Sequence, residues 1–137
     1  MKALGFQIIL ELYGCRYELL DDDKYIGEAL TEAARVSGAN IISTRFHKFS
    51  PHGVSGIVVI SESHLTIHTW PEYGYAAIDV FTCGDGLNRD AAISCITEHF
   101  KPGHFTVMEM KRGILNLPPD EVRHKPSLVG AAKSGKY

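Results

Sequence analysis

Residues 61–86 read SESHLTIHTWPEYGYAAIDVFTCGDG, and this stretch holds Ser63, His64, His68, Trp70, Glu72, Asp79 and Cys83. Several chemistries use these residue types. Ser63, His68 and Asp79 have the makings of a hydrolytic triad, but no GxSxG elbow presents the serine, and Gly53-Val54-Ser55-Gly56 is one residue short of one. His64 and His68 are four apart, yet strand alternation governs here, so they are not a helical HExxH metal pair. No GxGxxG or GxxxxGK[ST] loop occurs for a dinucleotide or a triphosphate. A fourth chemistry needs fewer residues. A serine in a strained turn attacks the carbonyl carbon before it, and a base then removes its Cα proton. The ester leaves by β-elimination, and hydrolysis leaves a pyruvoyl group at a new N-terminus. This needs a serine at a tight polar turn, a histidine base and a donor for the oxyanion. Glu62-Ser63, His68 and Ser55 have the types for those roles, though spacing alone does not select this chemistry.

The elements that must position these residues follow from periodicity. Leu4, Phe6, Ile8, Leu10 and Leu12 share one parity, which predicts a strand over 4–13 with one buried face. Asp21, Asp22 and Asp23 suit a helix start, and Ile26, Leu30, Ala33 and Ala34 give an apolar stripe that Ser37-Gly38 ends. Strands are expected at 41–49, 56–60, 64–70, 75–83 and 104–112. A second helix, capped by Asn88 or Asp90, runs to about 99 before Pro102-Gly103. Residues from about 116 to 137 carry three prolines and no sustained period, and read as a tail. Strands joined by short turns are antiparallel, and two apolar helix faces need a sheet to cover. The expected fold is an α+β two-layer sandwich, an antiparallel sheet with helices on one face. The other, partly apolar face favours a dimer.

Composition bounds the rest. A chain of 137 residues fits one domain, 1–137. It is 45% hydrophobic with a formal net charge of −2, so neither nucleic acid nor an anionic membrane is called for. No apolar run is long enough to span a bilayer, and the N-terminus lacks a signal-peptide pattern. Three cysteines without CxxC spacing speak for a reducing cytoplasm, against a disulfide framework and against a zinc ribbon; no metal site is expected. The chain is short for an enzyme with a buried site. Such a site would be shared between subunits or would use a cofactor built from the chain itself.

SESHLTIHTWPE followed by YAAIDVFTCGD resembles the signature of the prokaryotic S-adenosylmethionine decarboxylase proenzymes. GFQIILELYGC, KFSPHGVSGIVVI and the helix after Cys83 extend the likeness over roughly residues 1–115. The resemblance implies autocatalytic cleavage between Glu62 and Ser63 into a β chain, 1–62, and an α chain, 63–137, that stay associated. Ser63 would become a covalent pyruvoyl group, with His68 as the processing base and Ser55 stabilising the cyclic intermediate. The pyruvoyl group would form a Schiff base with S-adenosylmethionine and serve as the electron sink in place of pyridoxal phosphate. Cys83 would return a proton to the substrate Cα. The product would be the aminopropyl donor for spermidine synthesis, and the enzyme a homodimer with its site near the interface.

Parity poses one difficulty. Ser63 and His68 fall on opposite faces of a regular strand, so Ser63 is expected to lie in the turn, with residues 61–64 bent. A sulfonium cation and an adenine ring favour aromatic faces and carboxylates. Phe49, Trp70, Tyr73 and Phe81, with Glu11 and Glu72, have those types, and Leu65 follows Ser63 closely. Cys15 and Cys95 read as structural, and so does His64. Two alternatives stand beside the decarboxylase. One keeps the pyruvoyl machinery but acts on arginine or ornithine. The other is a non-enzymatic homologue that binds a partner subunit and stays uncleaved.

Overall fold

Alternation dominates this sequence, and the fold is built on it. The computed structural model describes residues 2–83 and 86–123. Its six strands are β1 (Gly5–Tyr13), β2 (Asn40–Lys48), β3 (Val54–Ser61), β4 (Ser63–Trp70), β5 (Tyr75–Cys83) and β6 (His104–Arg112). Three helices join them: a single turn, α1 (Tyr17–Leu20), then α2 (Asp23–Val36) and α3 (Arg89–Phe100). The strands form one sheet in the order β2-β3-β4-β5-β1-β6, with every neighbouring pair antiparallel. Strands 2 to 5 form a meander of tight turns. The two helical crossovers, α1–α2 and α3, leave β1 between β5 and β6.

Both long helices start where the sequence offers a cap. Asp22 accepts from the Tyr25 N–H at 3.1 Å, and Asn88 accepts from the Ala91 N–H at 3.1 Å. Asp21 is used differently, as described below. The single-turn α1 was not expected, because four residues carry no readable period. The expected strand starting at 56 begins at Val54 instead, and only Glu62 separates β3 from β4.

The helices cover one face of the sheet. Ile8, Leu10, Leu12, Val58, Ile60, Leu65, Ile67, Ile78 and Val80 pack there against Ile26, Leu30, Ala33, Ile96 and Phe100. Each of these Val, Leu, Ile and Phe side chains contributes about 1.5–3 kcal/mol by leaving water. Tyr25 links the helices, its hydroxyl donating to the His99 carbonyl at 2.7 Å. The opposite face carries the alternate residues, half-buried or exposed, and has no helix over it. Edge strand β6 is exposed along its whole length. In the expected tail, Pro119–Glu121 form a 3-10 turn and Val122 is buried; residues 124–137 lie outside the described residues, as do Gly84 and Asp85.

Candidate active site

The sheet register decides which of the chemistry-bearing residues meet. Ser55 pairs with His68 across β3 and β4, both on the helix-free face, and Ser55 Oγ and His68 Nδ1 share a hydrogen bond of 2.7 Å. This bond occupies Nδ1 and leaves Nε2 as the ring atom for proton transfer. The pair lines a cleft of about 260 Å³ with Phe49, His52, Trp70 and Glu72. A 3-10 turn (Pro71–Tyr73) carries Glu72, and Gly74 closes that turn at φ 62°. Phe49 and Trp70 are exposed, as a ligand-facing aromatic surface requires.

Glu62, Ser63 and Cys83 lie at the other end of the sheet. Ser63 pairs with Ile60 on one side and Thr82 on the other, which sets Cys83 across from Glu62. Ser63 is therefore the first residue of β4 rather than part of a bend, contrary to expectation. It shares parity with buried Leu65 and Ile67, so its side chain belongs to the helix side of the sheet. Its Oγ is buried with no hydrogen-bond partner among the described residues. A buried hydroxyl without a partner costs about 1–3 kcal/mol. This unpartnered oxygen belongs to the residue that follows the Glu62 carbonyl.

His68 does not meet Ser63 within the chain. The two are five positions apart on β4, about 16 Å at strand rise, and on opposite faces. Cys83 is farther still, since Ala77 is the β5 partner of His68. A flat β4 therefore rules out direct proton transfer from Ser63 to its own His68.

The remaining candidates divide. Leu65 is fully buried among the core residues on the helix side and does not line the cleft. Glu11 pairs with Ala77, which pairs with His68, so it lies on the helix-free face about two strand spacings from the cleft. The Tyr75 hydroxyl donates to both Glu11 carboxylate oxygens at 2.7 Å, and the Tyr13 hydroxyl donates at 3.3 Å. Burial, reinforced by the bond to Glu11, pushes the Tyr75 phenol up to about 12. The rings of Trp70, Tyr75, Tyr13 and His104 continue this surface from the cleft to β6. Tyr73 is almost fully exposed. His64 packs edge-on against Phe81 at 5.8 Å. Burial raises the thiol of Cys15 to about 11 and also raises that of Cys95, which suits inert side chains. His52, Tyr13 and Tyr75 went unnoticed in the sequence; His52 had only its place in a Ser-Pro-His-Gly turn to mark it. Among the described residues no cluster of three or more His, Cys, Asp or Glu is placed to hold a metal ion.

Comparison with known proteins bears on this arrangement. A profile of the S-adenosylmethionine decarboxylase family matches residues 6–113. An S-adenosylmethionine decarboxylase proenzyme from Acidithiobacillus ferrooxidans is 48% identical over 131 residues, 93% of this chain and 98% of that one. Another from Caldicellulosiruptor saccharolyticus is 55% identical over 118 residues, covering 86% and 95%. The crystal structure of the adenosylmethionine decarboxylase from Aquifex aeolicus superimposes with a TM-score of 0.79 at 34% identity, over 91% of this chain and all of that one. A Trypanosoma brucei AdoMetDC monomer shares the fold at a TM-score of 0.58 and 24% identity, with 74% of this chain matching 44% of that longer one.

Proposed function

The chain belongs to the S-adenosylmethionine decarboxylase family, and on that premise we propose that it cleaves itself at Glu62-Ser63 and works as a homodimer whose two active sites are each shared between subunits. The reaction is the decarboxylation of S-adenosylmethionine, which yields the aminopropyl donor for spermidine synthesis. Nothing favours arginine or ornithine as the substrate, or a non-enzymatic binding role.

The observation that carries the shared site is the separation within β4. Ser63 and Cys83 mark one end of the sheet, and the Ser55–His68 pair marks the other. A two-fold axis between two helix-free faces, perpendicular to the strands, lays one end of each copy over the opposite end of the other. Each composite site then sets Cys83 and the Ser63 main chain of one subunit against His68 of the partner subunit, which acts on the Ser63 Cα proton and not on the Oγ that points to the helices. It also covers the face that the helices leave open.

In processing, Ser63 Oγ attacks the Glu62 carbonyl carbon, and the acyl group moves from nitrogen to oxygen. The Ser55 hydroxyl stabilises the charge on the tetrahedral oxygen. His68 takes the Ser63 Cα proton, and the Glu62 carboxylate leaves by β-elimination. Water then replaces the nitrogen as ammonia, leaving the pyruvoyl group at the head of chain 63–137. That group supplies the electrophilic electron sink for loss of carbon dioxide. Cys83 delivers the proton to the substrate Cα, and Phe49, Trp70 and Glu72 bind and orient the substrate in the cleft. Glu11 supports that surface through Tyr75.

No helix among the described residues is long and apolar enough to cross a membrane. The three free cysteines agree with a reducing cytoplasm.

Intact mass tests the reading. The protein should appear as two chains, 1–62 and 63–137, the second lacking an N-terminal amine. Ser63→Ala should remain one inactive chain. An uncleaved wild-type chain that releases carbon dioxide from S-adenosylmethionine would overturn it.

A further inference from the structure

His52 has no part in the chemistry above, yet it is tied to the cleft. Its Nε2 lies 3.0 Å from Glu72 Oε2, and the Tyr17 ring of α1 meets its imidazole edge-on at 6.1 Å. The turn that carries it is pinned from several sides. The Phe49 N–H donates to the Gly53 carbonyl at 2.8 Å. Gly53 adopts φ 102°, which a side chain would oppose, and donates its N–H to Asp21 Oδ1 at 2.9 Å. Lys48 Nζ lies 3.5 Å from Asp21 Oδ2. Below the turn, the Val54 N–H donates to Thr69 Oγ1 at 2.8 Å, and that hydroxyl donates to the Leu20 carbonyl at 2.7 Å. His52 therefore stands on a braced corner, where its position is fixed before any ligand arrives.

Glu72 sits on a short surface turn with its side chain about a third exposed, 35% against 29% for His52. A free glutamate there samples many rotamers, and fixing one costs up to about 2 kcal/mol of side-chain entropy. The bond from His52 selects one rotamer in advance. It engages Oε2 and leaves Oε1 for the cleft shared with Phe49, Ser55, His68 and Trp70. We propose that His52 is a positioning residue for substrate binding, holding the Glu72 carboxylate in the orientation that accepts a substrate hydroxyl or faces its cationic group. The proposal rests on the reading of this cleft as the substrate site. A carboxylate that grips a part of the substrate remote from the bond being broken acts alike on ground and transition states, so the effect falls on KM and not on kcat.

Three variants of the processed enzyme test this. His52→Phe keeps a ring against Tyr17 but loses the donor, and should raise KM for S-adenosylmethionine about three- to ten-fold with kcat within about two-fold. His52→Gln places an N–H donor near the same point and should keep KM within about two-fold of wild type. Glu72→Gln should raise KM at least as much as His52→Phe. If His52→Phe fails to process, His52→Asn, whose donor is too short to reach Glu72, replaces it with the same expected rise. An unchanged KM in the donor-less variant, equal behaviour of it and His52→Gln, or a fall in kcat in place of a rise in KM would each overturn the proposal. An unchanged KM in Glu72→Gln would instead overturn the assignment of the cleft to the substrate.

Discussion

Ser63 and His68 stand at opposite ends of the same eight-residue strand and on opposite faces of it. Under the proposed mechanism, where His68 is the base for Ser63, residues so placed cooperate only between two chains. This relationship links the folding of β4 to the proposed dimer.

Complementation follows directly. Ser63→Ala and His68→Ala should each stay uncleaved when expressed alone. Co-expressed, about half of randomly paired dimers are mixed, and each mixed dimer assembles one complete site. About a quarter of the wild-type processing and activity should return. A denaturing gel and carbon dioxide release measure both. If the mixture stays intact, the shared-site arrangement is wrong.

Cys83 is assigned to the later step alone. Cys83→Ala should therefore cleave normally, because neither the acyl shift nor the elimination uses its thiol. Turnover should fall by about 10²-fold or more, the usual scale for a lost general acid. A Cys83→Ala enzyme that turns over at the wild-type rate would remove the thiol from the mechanism.

The Tyr75 phenol gives a pH prediction. Its folded value is pushed from 10.0 up to about 12, by burial first and by Glu11 second. The folded state thus holds this proton more tightly than the unfolded chain does. The associated stability is complete below pH 10 and is lost as pH rises through about 12. Urea unfolding should show a loss between those limits that Tyr75→Phe reduces. Glu11→Gln should lower the phenol value in an ultraviolet titration without returning it to 10.0, since burial remains.

Gly56 tests the packing of edge strand β2. Phe46 lies over Gly56 on β3 and over Gly27 on α2, and a methyl group on Gly56 would overlap the Phe46 ring. Gly56→Ala should destabilise the fold by about 1–3 kcal/mol, the cost of overpacking a closed contact. Combining it with Phe46→Leu should recover part of that loss. An additive double mutant would show that the two positions do not press on each other.

Local information was enough for most of this protein. The alternation in GFQIILELY and YAAIDVFTC marks strands with one buried face, and Asp22 and Asn88 mark the helix starts. Residue types admitted Ser63, His68 and Ser55 for self-processing without selecting it, and the family resemblance of that segment supplied the choice and the role of Cys83. All of these are properties of residues a few positions apart.

The tertiary structure decided what depends on register and on distant chain segments. Periodicity places Ser63 and His68 on opposite faces, but only the observed hairpin, with Glu62 alone between the strands, shows that no bend brings them back together. Pairing across β3 and β4 is what joins Ser55 to His68, and the corner braced by Asp21 is what carries His52 to Glu72. These contacts span up to several tens of residues. Their geometry is set by hydrogen-bond register and core packing, which act through space and leave no period in the sequence.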